Sequence, residues 1–245
     1  MNSSDPPAEI PVRLLENIRE IRARIGDAAC RSGRDPAEVV LVAVTKTVSP
    51  ELVRFLPAAG IADAGENRVQ AAEPKVLRSV PGLRWHMIGH LQTNKAGRAV
   101  ELFELVHSVD SARLVRHLAR QAAQRGRIAE VLVQVNISAE GQKTGIDPAE
   151  LERLLSTAAE EPAIRVRGLM GMGPFTGDPE NCRPLFRGLR SLLGRANGDG
   201  WYPGRMPHLS MGMSNDFEVA VEEGATLVRI GTAIFSGVAD PGEGA

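Results

Sequence analysis

The run Val39-Val40-Leu41-Val42-Ala43-Val44-Thr45-Lys46-Thr47-Val48-Ser49-Pro50 holds one complete strand-to-helix transition. Apolar residues at successive positions suit a parallel strand covered on both faces by helices. Ser49 before Pro50 then supplies a helix cap and a residue preset for the first helical turn. The same grammar recurs down the chain. Strands are predicted near 39–45, 61–64, 84–88, 105–109, 129–136, 164–170, 207–209 and 226–230, with helical patterns near 50–58, 67–78, 94–103, 111–125, 148–160, 179–195 and 215–223. Strands alternating with helices throughout predict α/β architecture, a single closed parallel (β/α)8 TIM barrel. An open doubly wound sheet is the alternative, and it would usually use fewer strands.

Upstream, Ile10, Leu14, Ile18, Ile21 and Ile25 recur at helical spacing and predict an extra amphipathic N-terminal helix, stopped by Gly33 and the Asp35-Pro36 turn. The pattern leaves open where that helix packs. One domain is expected over 8–238, with 1–7 and 239–245 as flexible termini. The 245 residues suffice for one barrel, and a hydrophobic content of 43% with a formal charge of -1 gives no bias toward nucleic acid or membrane. Cys30 and Cys182 lack metal-ligand spacing and read as reduced thiols, though a bond between them stays open. Without a signal-like N-terminus or an apolar window of about 18 residues, a cytoplasmic location is expected.

In such a barrel the chemistry gathers where strands end and loops begin. Those places hold Lys46 after strand one, Gly65-Glu66-Asn67-Arg68 after strand two, and His86 to Lys95 around the end of strand three. Ser210-Met211-Gly212-Met213-Ser214 follows strand seven, and Arg229-Ile230-Gly231-Thr232 closes strand eight. A lysine, an arginine, amides, hydroxyls and glycine turns suit an anionic ligand carrying a carbonyl. Loops after the last two strands of this fold commonly cradle phosphate. Glycine and serine in a loop can also mean only a turn.

Strand periodicity places Leu227, Arg229 and Gly231 toward the interior if Val228 and Ile230 face the helices. A buried guanidinium needs a partner, either a structural carboxylate or a ligand acceptor. Lys46 shares the parity of Val42 and Val44; it is either a surface lysine or an amine for carbonyl chemistry. His86 and His90 flank Gly89 on a strand and turn rather than a helix, so no metal site is expected. Gly171-Met172-Gly173-Pro174 lacks the spacing of a dinucleotide loop, and Met170, Met172, Met211 and Met213 read as wall or core.

Together, Val42 to Thr47, Gly65 to Gln70, Trp85 to Lys95, Ser210 to Asp216 and Arg229 to Phe235 closely resemble the pyridoxal phosphate homeostasis protein family. The likeness runs from about residue 10 to 237, departing at Ser236, where the family more often has glycine. The resemblance implies the fold of the alanine racemase N-terminal barrel, the type III fold of pyridoxal phosphate proteins. It further implies that Lys46 is the Schiff-base lysine for pyridoxal 5'-phosphate. Ser210, Gly231 and Thr232, with the Met211 turn beside them, would surround the phosphate. Arg229 would face the pyridine nitrogen, and Asn67 and His86 would line the cofactor.

An arginine at that nitrogen should keep it unprotonated, making the ring a weak electron sink and disfavouring carbanion chemistry. A racemase of the related fold takes a second base from a tyrosine of an added β domain. Tyr202, the one tyrosine here, is expected toward the opposite pole. The resemblance therefore implies a non-catalytic monomer that takes part in pyridoxal phosphate homeostasis, with cofactor-free enzymes as acceptors and no catalytic residues. A racemase-like enzyme acting on a small amino acid, with Lys46 as single base and His86 assisting, is the alternative. A third class, binding some other phosphorylated ligand with Lys46 only as a charge, predicts no covalent adduct.

Overall fold

The computed structural model describes residues 9–78, 81–138, 144–174 and 176–241. Eight parallel strands form a closed barrel in chain order: β1 Val40–Val44, β2 Asp63–Glu66, β3 Arg84–Met87, β4 Leu105–Val109, β5 Ala129–Gln134, β6 Ile164–Met170, β7 His208–Ser210 and β8 Leu227–Ile230. β1 pairs with β8, placing Val42 opposite Arg229, so the ring has no free edge. Closure excludes the doubly wound alternative, which leaves two edges open.

The helices are α1 Val12–Arg31, α2 Pro50–Val53, α3 Val69–Arg78, α4 Ala96–Leu102, α5 Ala112–Ala123, α6 Leu151–Ala159, α7 Arg183–Gly198, α8 Phe217–Glu222 and α9 Thr232–Phe235. Ser49 caps α2 by accepting from the Leu52 N–H, and Ser111 caps α5 in the same way through Leu114. The helix expected over 50–58 ends at Val53 and gives way to tight turns.

Two-residue periodicity separates two cores. Leu41, Ala43, Val228 and Ile230 pack in the large core with the helices, whereas Val42, Leu105, Leu132, Met170 and Leu227 form a small apolar plug inside the barrel. The inward parity of Leu227 and Arg229 is as the alternation requires.

β2 begins at Asp63, two residues later than its apolar pattern suggests, so Gly65 and Glu66 belong to the strand rather than the loop. A charged residue is accepted in the strand because Asp63 faces inward and is met by donors from Arg84 and His86.

α1 packs on the outer wall against α8 and α9. Asn17 Nδ2 donates to the carbonyls of Ile234 and Ser236, each at 2.9 Å, and Arg24 and Arg31 pair with Glu218 and Glu222. Within the expected C-terminal tail, Asp240 accepts from the Ser49 N–H at 2.8 Å and from its hydroxyl, which ties that residue to the start of α2. Of the expected flexible termini, residues 1–7 and 242–245 lie outside the described residues. Cys30 is exposed, Cys182 is buried, and the two are not bonded to each other. Among the described residues no helix is long and apolar enough to cross a membrane.

Candidate functional site

At the C-terminal ends of the strands a cavity of about 560 Å³ is lined by Lys46, Asn67, Gln134, Arg229, Gly231 and Thr232, with Val44, Ile88, Met172 and Met213 as apolar wall. Lys46 stands at its exposed mouth, one alternation beyond Val44. Thr47, His90, Thr144, Ser214, Asn215 and Asp216 add to the polar lining.

The approach of β1 and β2 to this cavity is held by one buried ion pair. Glu66 Oε1 accepts from Thr45 Oγ1 at 2.7 Å and from Lys75 Nζ of α3 at 2.5 Å. Lys75 Nζ also donates to the Thr45 carbonyl at 2.5 Å, and the Asn67 N–H donates to Glu66 Oε2 at 3.3 Å. The residue before Lys46 is thereby tied to the residue before Asn67. Gly89 presses on the same loop: a Cβ at this position would lie 2.3 Å from the Asn67 carbonyl oxygen, so only glycine admits the approach.

Across the cavity Arg229 is almost wholly buried, donating from NH1 to Ser210 Oγ at 2.5 Å and from NH2 to the Gly171 carbonyl at 3.1 Å. Burial lowers its pKa to about 10, with the Asp216 carboxylate acting the other way, so it stays cationic at neutral pH. A guanidinium carries five N–H donors, and Arg229 lines the cavity, so it can serve a ligand acceptor as well as its protein partners. Gly212 turns the chain after β7 with φ +91°, and its carbonyl accepts from the Arg229 backbone N–H at 3.0 Å.

Lys46, Asn67, Arg229, Gly231 and Thr232 thus meet at one cavity. His86, Ser210 and Met211 do not line it. The Met211 side chain packs in the outer core and its N–H donates to the Leu227 carbonyl at 3.2 Å, so the core takes the one and the sheet the other. The Ser210 hydroxyl is fully buried between Arg229 and His107, whose Nδ1 lies 2.9 Å away. His86 lies deeper, its Nδ1 2.8 Å from His107 Nε2 and its Nε2 3.0 Å from Asp63 Oδ1. Burial alone would raise the Asp63 carboxyl, but hydrogen bonds from His86 and Arg84 overcome it and hold the group at about 2. Burial, with His86 and Arg229 nearby, pushes His107 well below the ordinary imidazole range.

Reading the sequence by motif missed Asp63, His107 and the Glu66–Lys75 pair. The inward parity that His107 shares with Leu105, and the place of Lys75 on the α3 face that buries Val69 and Ala72, were the available signals. Tyr202 sits at the other end of the barrel, where its hydroxyl accepts from the Val166 N–H at 3.1 Å near the start of β6.

A family model described as alanine racemase, N-terminal domain, matches residues 13–238. The pyridoxal phosphate homeostasis protein of Aquifex aeolicus is 40% identical over 222 residues, covering 90% of this chain and 96% of its own. That of Pseudomonas aeruginosa is 42% identical over 224 residues, covering 91% and 94%. The chain belongs to the pyridoxal phosphate homeostasis protein family. A solved structure similar to this member of the family is PipY of Synechococcus elongatus with pyridoxal phosphate bound, at 36% identity and TM-score 0.79, covering 91% of this chain and 99% of that one. Alanine racemase from Corynebacterium glutamicum shares the barrel at 16% identity and TM-score 0.70, covering 93% and 64%, a likeness of fold alone.

Proposed function

We propose that this chain binds pyridoxal 5'-phosphate covalently through Lys46 and takes part in its intracellular homeostasis without robust turnover of amino acids. The observation that carries the reading is the meeting of an exposed lysine amine and a buried guanidinium at one cavity of the barrel's C-terminal end. The residues fit the group. Lys46 offers the amine, Arg229 a donor for an unprotonated ring nitrogen, and Ser214, Gly231 and Thr232 a wall of hydroxyl and backbone groups for a phosphate. Asn67 lines the remaining side.

When bound, the cofactor supplies an aldehyde that condenses reversibly with amines. Arg229 is held cationic and cannot accept a proton, so it stabilises an unprotonated acceptor and gives little help to carbanion formation. Tyr202 is engaged with the β6 backbone and supplies no second base at the cavity. A cytoplasmic carrier passing the cofactor to cofactor-free enzymes accords with this arrangement.

The test is an absorbance spectrum of the purified protein with pyridoxal phosphate, followed by borohydride reduction and peptide mapping. A band in the visible region with label on Lys46, absent from Lys46→Ala, is the expected result. Amino-acid turnover with exchange of an α-deuterium, abolished by Lys46→Ala, would overturn the non-catalytic part. A spectrum without band or adduct would overturn the whole.

A further inference from the structure

Beneath the cavity a single file of hydrogen bonds crosses the barrel interior from its N-terminal pole to Arg229. Arg84 Nε and NH2 donate to the two oxygens of Asp63 at 2.8 and 2.7 Å. Asp63, His86, His107, Ser210 and Arg229 then follow at contacts of 3.0, 2.8, 2.9 and 2.5 Å, all five buried. Each imidazole nitrogen faces one partner, so the polarity of the file can be read by matching donors to acceptors.

An ionised Asp63 only accepts, which places a hydrogen on His86 Nε2. Arg229 only donates, so Ser210 Oγ accepts from it and the serine hydrogen is left for His107 Nδ1. Burial keeps His107 neutral, with its one N–H on Nε2, and that N–H points at His86 Nδ1. From His86 to Ser210 every donor then meets an acceptor, and each imidazole and the serine hydroxyl is used once in each sense. The arrangement ends on a group that cannot accept, so it transmits orientation to the cavity and no proton.

We propose that Ser210 and His107 are positioning residues for Arg229: the guanidinium obliges Ser210 to accept, Asp63 at the opposite pole fixes the matching polarity of the two imidazoles, and the file so held turns the remaining N–H edge of Arg229 to the cavity. This rests on the reading that the cavity holds pyridoxal phosphate, whose ring nitrogen is the acceptor offered to that edge. Ser210 accordingly acts on the ring end of the ligand, away from the phosphate.

Two measurements test it. In the ligand-free wild type, nitrogen-15 NMR of the imidazoles near neutral pH should show His107 carrying its hydrogen on Nε2 with Nδ1 bare. A hydrogen on His107 Nδ1 would overturn the polarity and with it the proposal. In the second, Ser210→Ala and Ser210→Thr are titrated with pyridoxal phosphate and with its analogue having carbon in place of the ring nitrogen. Ser210→Ala should weaken pyridoxal phosphate about tenfold, the scale of one charge-assisted hydrogen bond, while leaving the analogue unchanged, and Ser210→Thr should recover the loss. Equal weakening of both probes would mark a general structural role and refute positioning. A wild type that binds neither probe refutes the cofactor reading, and the His107 tautomer still decides the polarity.

Discussion

Replacing Lys75 by methionine keeps the aliphatic stem of α3 and removes only the ammonium, leaving the Glu66 carboxylate buried at 0% exposure without its counter-charge. Removing one partner of a buried ion pair costs about 3–5 kcal/mol. Thr45 Oγ1 and the Asn67 N–H still donate to the carboxylate, so the lower end of that range, about 3 kcal/mol, is expected for Lys75→Met. For a chain of this size each kcal/mol corresponds to about 2–4 °C, so Tm should fall by about 6–12 °C. The double variant Glu66→Gln with Lys75→Met retains an acceptor for Thr45 and removes the stranded charge, and it should recover more than half of the loss. Thermal melts and urea titrations followed by circular dichroism read both, with an unchanged urea slope marking an unchanged unfolding transition. A Lys75→Met loss below about 1 kcal/mol, or a double variant no better than the single, would refute the argument that this pair is a coupled buried charge. Because Lys75 also holds the Thr45 carbonyl, borohydride labelling of the adjoining Lys46 should slow in Lys75→Met.

Acid should destabilise the protein in two stages. His107 is held well below 6.5 and refuses the proton that the unfolded chain accepts, so its contribution is complete above that pH and is lost on going lower; His208 is shifted in the same direction by burial and Arg167. Asp63, at about 2 against 3.8 unfolded, adds stability that is complete above the unfolded value and is lost as pH falls toward 2. That second contribution amounts to about 2 kcal/mol. Urea midpoints against pH should begin to fall near 6.5, less steeply in His107→Gln, and a profile flat down to the carboxylate range would contradict this. Gly89→Ala must displace the Asn67 backbone, so it should cost about 1–3 kcal/mol and weaken pyridoxal phosphate binding; titration and melts check both, and an unaffected variant would show that the loop yields freely. Lys46→Ala, at an exposed position, should leave Tm within about 1–2 °C while abolishing the reducible adduct, and a labelled second lysine would point to a different attachment.

Several features were legible in the chain because they are local. The run from Val39 to Val44 names a covered parallel strand, and Ser49-Pro50 names the helix that follows. Alternation in Leu227 to Ile230 turns Arg229 inward without any knowledge of its neighbours. Barrel geometry then gathers Lys46, Asn67, Arg229, Gly231 and Thr232 at one pole, as strand-end positions suggest. The resemblance implies that His86 lines the cofactor, whereas its contacts with His107 and Asp63 seat it below the cavity, a placement that local pattern does not show.

By itself the sequence determined the order of strands and helices, the single barrel they close, and which strand ends carry a lysine and an arginine, since these follow from two- and 3.6-residue periodicity and from turn residues. Only the tertiary structure decided the register of β2, the seat of α1 against α8 and α9, the Glu66–Lys75 clamp, and the file from Asp63 to Arg229. Those depend on partners such as His107 and Ser210, 103 residues apart, which meet only when the ring closes. Local periodicity tells a side chain which way to face, and closure of the barrel determines what it meets there.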